Sequence, residues 1–181
     1  MGGPPTKRYL TKANPCRIIC NTFKGQKNLE LKSYEMDKTS LASTFEWLNF
    51  DVETYDELAS NDMMDKINEL AKEDYSELEC FVLIIMSHGG DGGRIQGTDN
   101  KFVEINKIIE KFVTAKSLNG IPKLFFIQTC RGDEWMKTVS VAEEMEISTA
   151  DCGKVLKAQK ADVFTFYSTT QGRCFIFVSI E

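Results

Sequence analysis

The sequence holds a single histidine, His88, and one cysteine, Cys130, whose surroundings suit it to nucleophilic chemistry. His88 lies just past the apolar run from Phe81 to Met86, and Cys130 just past the run from Lys123 to Gln128. Runs of this kind read as strands buried on both faces. In an open parallel sheet the binding crevice forms outside the carboxyl ends of the strands, so two such strands lying close together bring imidazole and thiol to one rim. A free thiol at neutral pH is only a few per cent thiolate. A neighbouring imidazole lowers its pKa and later donates a proton to the leaving amine. Gly89 and Gly90 follow His88, and Gly132 follows Arg131; without side chains they let backbone N–H groups approach a tetrahedral oxyanion closely. Position alone leaves open a loop histidine and a buried cysteine with no joint role.

Periodicity supplies the elements that must position the pair. Cys16 to Phe23 reads as a strand and Lys24 to Asn28 as a polar loop. Met36, Leu41, Phe45 and Leu48 at near-helical spacing predict a helix over about 36–49. A short strand follows from Phe50 to Tyr55. Met63, Met64, Ile67, Leu70 and Ala71 then mark one face of a second helix. Beyond the glycine-rich loop 89–93 comes a hairpin-like stretch to Val103. Ile105, Ile108, Ile109, Phe112 and Val113 next form the cleanest amphipathic helix of the chain. Asp133 to Lys160 is charged and weakly periodic and reads as an exposed linker, while Asp162 to Tyr167 and Cys174 to Ile180 read as two further strands. Alternating strands and helices imply an α/β fold with a mostly parallel sheet.

Composition narrows the function classes. A chain of 181 residues with 42% hydrophobic residues fits one domain with a real core. Its net charge of −5, with basic residues scattered among acids, argues against a nucleic-acid surface. No apolar run approaches the roughly 20 residues that span a bilayer, and the polar, proline-broken start is no signal peptide. Met1 to Thr6 formally matches a myristoylation pattern, but two prolines in so short a segment favour a disordered start. The six cysteines are irregularly spaced, and Cys16, Cys20 and Cys80 sit in or beside apolar runs, as reduced thiols of a cytoplasmic protein would. With no Cys-x-x-Cys and one histidine, no metal site is expected, and nothing calls for a cofactor. The loop 89–93 lacks the Gly-Lys-Ser/Thr of a P-loop, so it is not read as a phosphate cradle.

The local sequence around the pair is more specific. Gln128-Thr129-Cys130-Arg131-Gly132 resembles the Gln-Ala-Cys-x-Gly signature of caspases, and Met86-Ser87-His88-Gly89 stands 42 residues before the cysteine, close to that family's spacing. Gly97-Thr98, the segment Ile121 to Ile127 and the segment Asp162 to Thr169 are also similar to caspase sequence, so the resemblance runs from about Cys16 to Gly172. It implies a caspase-like three-layer sandwich with a mostly parallel central sheet and helices on both faces. The implied division is a disordered segment at 1–15, a large-subunit region at 16–132, an intersubunit linker at 133–160 and a truncated small-subunit region at 161–181. The resemblance makes Cys130 the nucleophile and His88 the general acid/base. It gives the N–H groups of Gly89 and Cys130 as the oxyanion hole, and Gln128 as part of the pocket for a substrate aspartate. A backbone carbonyl near Leu29 would orient the histidine. Protein substrates cleaved after aspartate, in apoptosis or a related signalling route, and a caspase homodimer or heterodimer partner are the implied partners.

Departures from the family pattern point the other way. Caspases grip the substrate aspartate with two arginines, the first in an Arg-x-Gly-Ser/Thr-x-x-Asp pattern. Here that stretch is Leu31-Lys32-Ser33-Tyr34-Glu35-Met36-Asp37, so the arginine position falls on Leu31. A lysine alongside is a point charge and cannot replace a bidentate guanidinium. The second arginine has no counterpart in register after Gly172. The expected function is therefore a caspase-like cysteine endopeptidase or its zymogen. The alternative is a catalytically impaired, truncated homologue that binds and modulates active caspases or their adaptors. Asp151, in Ser148-Thr149-Ala150-Asp151, is either a self-processing site or an ordinary linker aspartate.

Overall fold

The computed structural model describes residues 13–129 and 162–167. The linker expected over 133–160, the strand expected over 174–180, and most of the N-terminal segment lie outside the described residues. The described chain forms β1 (Asn14–Cys20), α1 (Lys32–Trp47), β2 (Phe50–Asp56), α2 (Ser60–Leu70), β3 (Phe81–Met86), β4 (Gly89–Gly90), β5 (Arg94–Gln96), β6 (Phe102–Glu104), α3 (Ile105–Val113), β7 (Lys123–Gln128) and β8 (Val163–Tyr167). Five of the strands make one sheet in the order β2-β1-β3-β7-β8, with every pair parallel. The short strands β4, β5 and β6 form a separate antiparallel sheet beside it.

Alternation along the strands divides the core in two. Ile19, Leu83, Ile85, Phe125 and Ile127 point to one face, where α2 and α3 cover them with Met63, Ile67, Ile108 and Phe112. Cys16, Ile18, Cys20, Val82, Ile84 and Met86 point to the other, under Tyr34, Leu41, Ala42 and Phe45 of α1. Every residue of β3 is buried, as a central strand covered on both sides requires. The result is the three-layer arrangement with helices on both faces.

Boundaries differ from the sequence reading where polar groups decide them. β1 starts at Asn14, whose side-chain oxygen accepts the N–H groups of Glu79 and Cys80. Pro15 is tolerated within it because pairing to β3 begins only at Cys16. The strand stops at Cys20, and Phe23 turns into the left-handed region at φ 56. Helix α1 begins four residues earlier than periodicity indicates, since its first turn is polar and its buried residues include Lys38, held by Glu35 and Asp56. Met36 and Leu48, counted toward the apolar face, are exposed, and Tyr34 occupies the sheet-facing position instead. Asn49 ends the helix at φ 65, a conformation asparagine tolerates.

Candidate active site

The register of the sheet sets the site. β3 and β7 are neighbours, and Met86 lies opposite Gln128. Two residues further along each chain stand His88 and Cys130. Cys130 itself, and Asp151, lie outside the described residues. The two strand ends are tied together by the Ser87 N–H, which donates to the Gln128 carbonyl at 3.1 Å. The Ser87 hydroxyl, fully buried, donates to the Gln96 carbonyl at 2.7 Å and binds the rim to β5.

His88 is half-buried and held from two sides. Its Nε2 lies 2.7 Å from the carbonyl oxygen of Leu29, the residue to which the resemblance points. A carbonyl can only accept, so Nε2 carries the proton and a neutral ring keeps its lone pair on Nδ1. The Phe23 ring, fully buried, packs against the imidazole at a centroid distance of 4.8 Å. Leu29 and Phe23 belong to one loop after β1, folded on itself by Gln26 N–H to Phe23 O, Leu29 N–H to Gln26 O and Leu31 N–H to Thr22 O.

Gly89 follows the histidine directly and opens β4, half-buried, at the same rim. Gln128 closes β7, and its side-chain amide donates to Asp37 of α1 at 3.4 Å. Leu31, the half-buried N-cap of α1, brings no charge to this end of the sheet. Lys32 is exposed and pairs with Glu30 at 3.9 Å. The histidine, Gly89 and Gln128 thus share the carboxyl edge of the sheet. Sequence reasoning missed Phe23, which it took as the end of a strand, and Asp37, which carried no signal beyond its place in the helix.

Among the described residues the thiols are Cys16 and Cys20, both buried, and Cys80, half-buried. Burial pushes Cys16 and Cys20 from the ordinary 9.0 up to about 12, and raises Cys80 as well. Iodoacetamide at pH 7.5 is therefore expected to leave Cys16 and Cys20 unmodified in the folded chain and to modify them after denaturation, as peptide mass mapping would read. The same shifts carry a sign for stability. A folded-state pKa raised above the unfolded value contributes stability that is whole below about pH 8.5 and is lost as pH climbs toward 12. The urea midpoint should hold between pH 6 and 8 and fall above pH 9.

This fold and rim define an α/β protein with a histidine fixed beside the strand that leads to a cysteine. Comparison with known proteins places it further. The caspase domain model matches residues 14–174. Caspase-7 of Gallus gallus is 34% identical over 178 residues, covering 93% of this chain and 57% of the relative. Caspase-3 of Mus musculus is 35% identical over 160 residues, 86% of this chain and 56% of the relative. Caspase-8 of Mus musculus is 35% identical over 116 residues, 63% of this chain and 24% of the relative. The chain belongs to the caspase family of cysteine-type peptidases. It spans between a quarter and just over half the length of these relatives. Among the described residues no helix is long and apolar enough to cross a membrane.

Proposed function

We propose that the chain is a cysteine endopeptidase in which Cys130 is the nucleophile and His88 the general acid/base. The observation that carries this reading is the Leu29 carbonyl on His88 Nε2, which leaves Nδ1 as the basic nitrogen at the rim toward which β7 delivers the chain. Nδ1 takes the proton from the Cys130 Sγ, and the thiolate attacks the substrate carbonyl carbon. The N–H groups of Gly89 and Cys130 receive the oxyanion. The imidazolium then protonates the leaving amine, and water, deprotonated by the same nitrogen, releases the acid from the thioester. Gln128 lines the pocket for the residue before the scissile bond, which in this reading is an aspartate.

Residues 16–132 then form the large-subunit region, 133–160 the linker, with Asp151 as its processing site, and 161–181 the small-subunit region. Protein substrates in apoptosis or related signalling, a cytoplasmic setting and a caspase-type dimer partner complete the reading. Leu31 favours a second one, in which a chain with an intact dyad grips aspartate poorly and modulates active caspases or their adaptors.

The test is the pH profile of Cys130 alkylation by iodoacetamide, followed by peptide mass mapping. A thiol served by an imidazole should reach half its maximal rate below pH 7, against about 8.5 for a free cysteine. His88→Ala should move the midpoint up to that free value. A native midpoint near 8.5, unmoved by His88→Ala, would sink the dyad.

A further inference from the structure

His88 owes its orientation to a loop with no regular structure, so something outside the loop must fix it. Its first residue, Asn21, is fully buried and anchored outside the loop. The Asn21 side chain donates to the Leu58 and Gln96 carbonyls and accepts the Leu58 N–H, while its backbone N–H donates to Met86. Gln26 is secured by its amide on the Thr98 carbonyl at 2.9 Å. Between these anchors stands Phe23, whose φ of 56 is a conformation that bulky side chains rarely adopt. One carboxylate grips the backbone on both sides of it. Glu57 Oε1 accepts the Thr22 N–H and hydroxyl, each at 2.6 Å, and Oε2 accepts the Lys24 N–H at 3.2 Å. Glu57 itself sits at φ 54, immediately after β2, with its N–H on the Cys20 carbonyl at 3.1 Å. Two residues in a disfavoured conformation, one clamping the other, are held by their surroundings rather than by local preference. Strain of this kind persists only where the surrounding structure over-determines it, and it clusters at functional sites.

We propose that Glu57 is a positioning residue for His88. Its carboxylate, bridging the amides of Thr22 and Lys24, holds the Phe23 ring under the imidazole and sets the loop that presents the Leu29 carbonyl to Nε2. Charge-assisted bonds are the strong kind, and two from backbone N–H groups with a third from the Thr22 hydroxyl on one carboxylate leave the loop little freedom. Removing them frees Phe23 to relax toward negative φ, which swings its ring and shifts the turn that ends at Leu29. The imidazole then loses both supports without being touched.

The proposal rests on the dyad reading, and the experiment separates the two. The full chain is compared with Glu57→Ala, Glu57→Gln, His88→Ala and the double variant Glu57→Ala/His88→Ala, reading the midpoint of the Cys130 alkylation profile with iodoacetamide. Glu57→Ala should raise the midpoint by about one pH unit or more. Glu57→Gln, which keeps one acceptor but turns an amide N–H toward Lys24, should fall between. The double variant should match His88→Ala alone, because two groups acting through one imidazole do not add. An unmoved midpoint in His88→Ala overturns the dyad and this proposal with it. A shift in His88→Ala with none in either Glu57 variant overturns the positioning role alone. So does a double variant worse than His88→Ala, since Glu57 would then act on the fold at large. Should Glu57→Ala fail to fold, Glu57→Gln decides; should neither fold, Glu57 is a folding residue and the proposal falls.

Discussion

Leu31→Arg is expected to raise the cleavage of aspartyl peptides by at least about 30-fold over the native chain. In the proposed reading a substrate aspartate enters beside Gln128, where it would have to lose its water and find donors for a full negative charge. Losing one charged partner from a buried pair costs about 2–5 kcal/mol, or roughly 30- to several-thousand-fold in binding. The described residues near this rim have little to offer it. Leu31 is apolar, and Lys32 is turned to solvent with Glu30, a surface pair worth little. Lys38 is committed to Glu35 and Asp56. Gln128 has an amide to give, yet it is turned to the Asp37 carboxylate, whose charge repels an incoming aspartate. A guanidinium at position 31 would answer both groups, and the half-buried Leu31, at φ −101, has a backbone conformation open to any L residue but proline. Leu31→Lys should gain less, since an ammonium cannot form the bidentate pair. The assay is kcat/KM on an aspartyl peptide, with Cys130 alkylation as a control that should not change. Native cleavage already equal to that of Leu31→Arg would mean that the pocket lies elsewhere, and the modulator reading would lose its support.

The parts of the fold legible in the sequence were those that hydrophobic pattern alone decides. β3 and β7 match their runs residue for residue and α3 its apolar stripe. β3 is buried on both faces as expected, whereas β7 fully buries only alternate residues, Lys123, Phe125 and Ile127, its other face being half-buried. The first two turns of α1 were not legible: their inward residues are Tyr34 and Lys38, a lysine neutralised by two carboxylates, which a count of apolar positions does not see. At the site, placement at strand ends singled out His88, and the resemblance directed attention to Leu29. Phe23 and Glu57 escaped both. Glu57 reaches Thr22 and Lys24, on either side of Phe23, across more than thirty residues, and the arrangement depends on two backbone conformations that no local pattern announces. Long-range polar contacts of this kind are fixed by tertiary structure, so a loop read as merely polar proves to be the support of the histidine.

Phe112→Ala is expected to cost about 3–5 kcal/mol of folding stability and to lower Tm by roughly 10 °C. Phe112 has no exposed surface, and its ring stacks on Phe81 at 4.7 Å and meets Phe125 at 5.8 Å. Phe81 in turn packs against Tyr75 at 5.1 Å, so the four rings form one aromatic block between α3 and the sheet. Truncating the central ring removes its transfer energy and leaves a cavity that the stiff flanking strands cannot close. Domains of this size are stable by only about 5–15 kcal/mol, so the loss is a large share of the whole. Burial decides the effect, not ring size. Trp47, the larger side chain, is 82% exposed at the end of α1, and Trp47→Ala should change stability by no more than about 0.5 kcal/mol. Phe45 on the opposite face is only partly buried between Phe50 and Phe126, so Phe45→Ala should fall between the two. Urea denaturation of the three variants gives the order directly. Phe81 and Phe125 belong to the two strands that carry His88 and lead to Cys130, so the block that Phe112 completes also sets how those strands lie against each other. If Trp47→Ala proved as costly as Phe112→Ala, the α3 face would not be the main core, and the rigidity of the rim would have to come from α1.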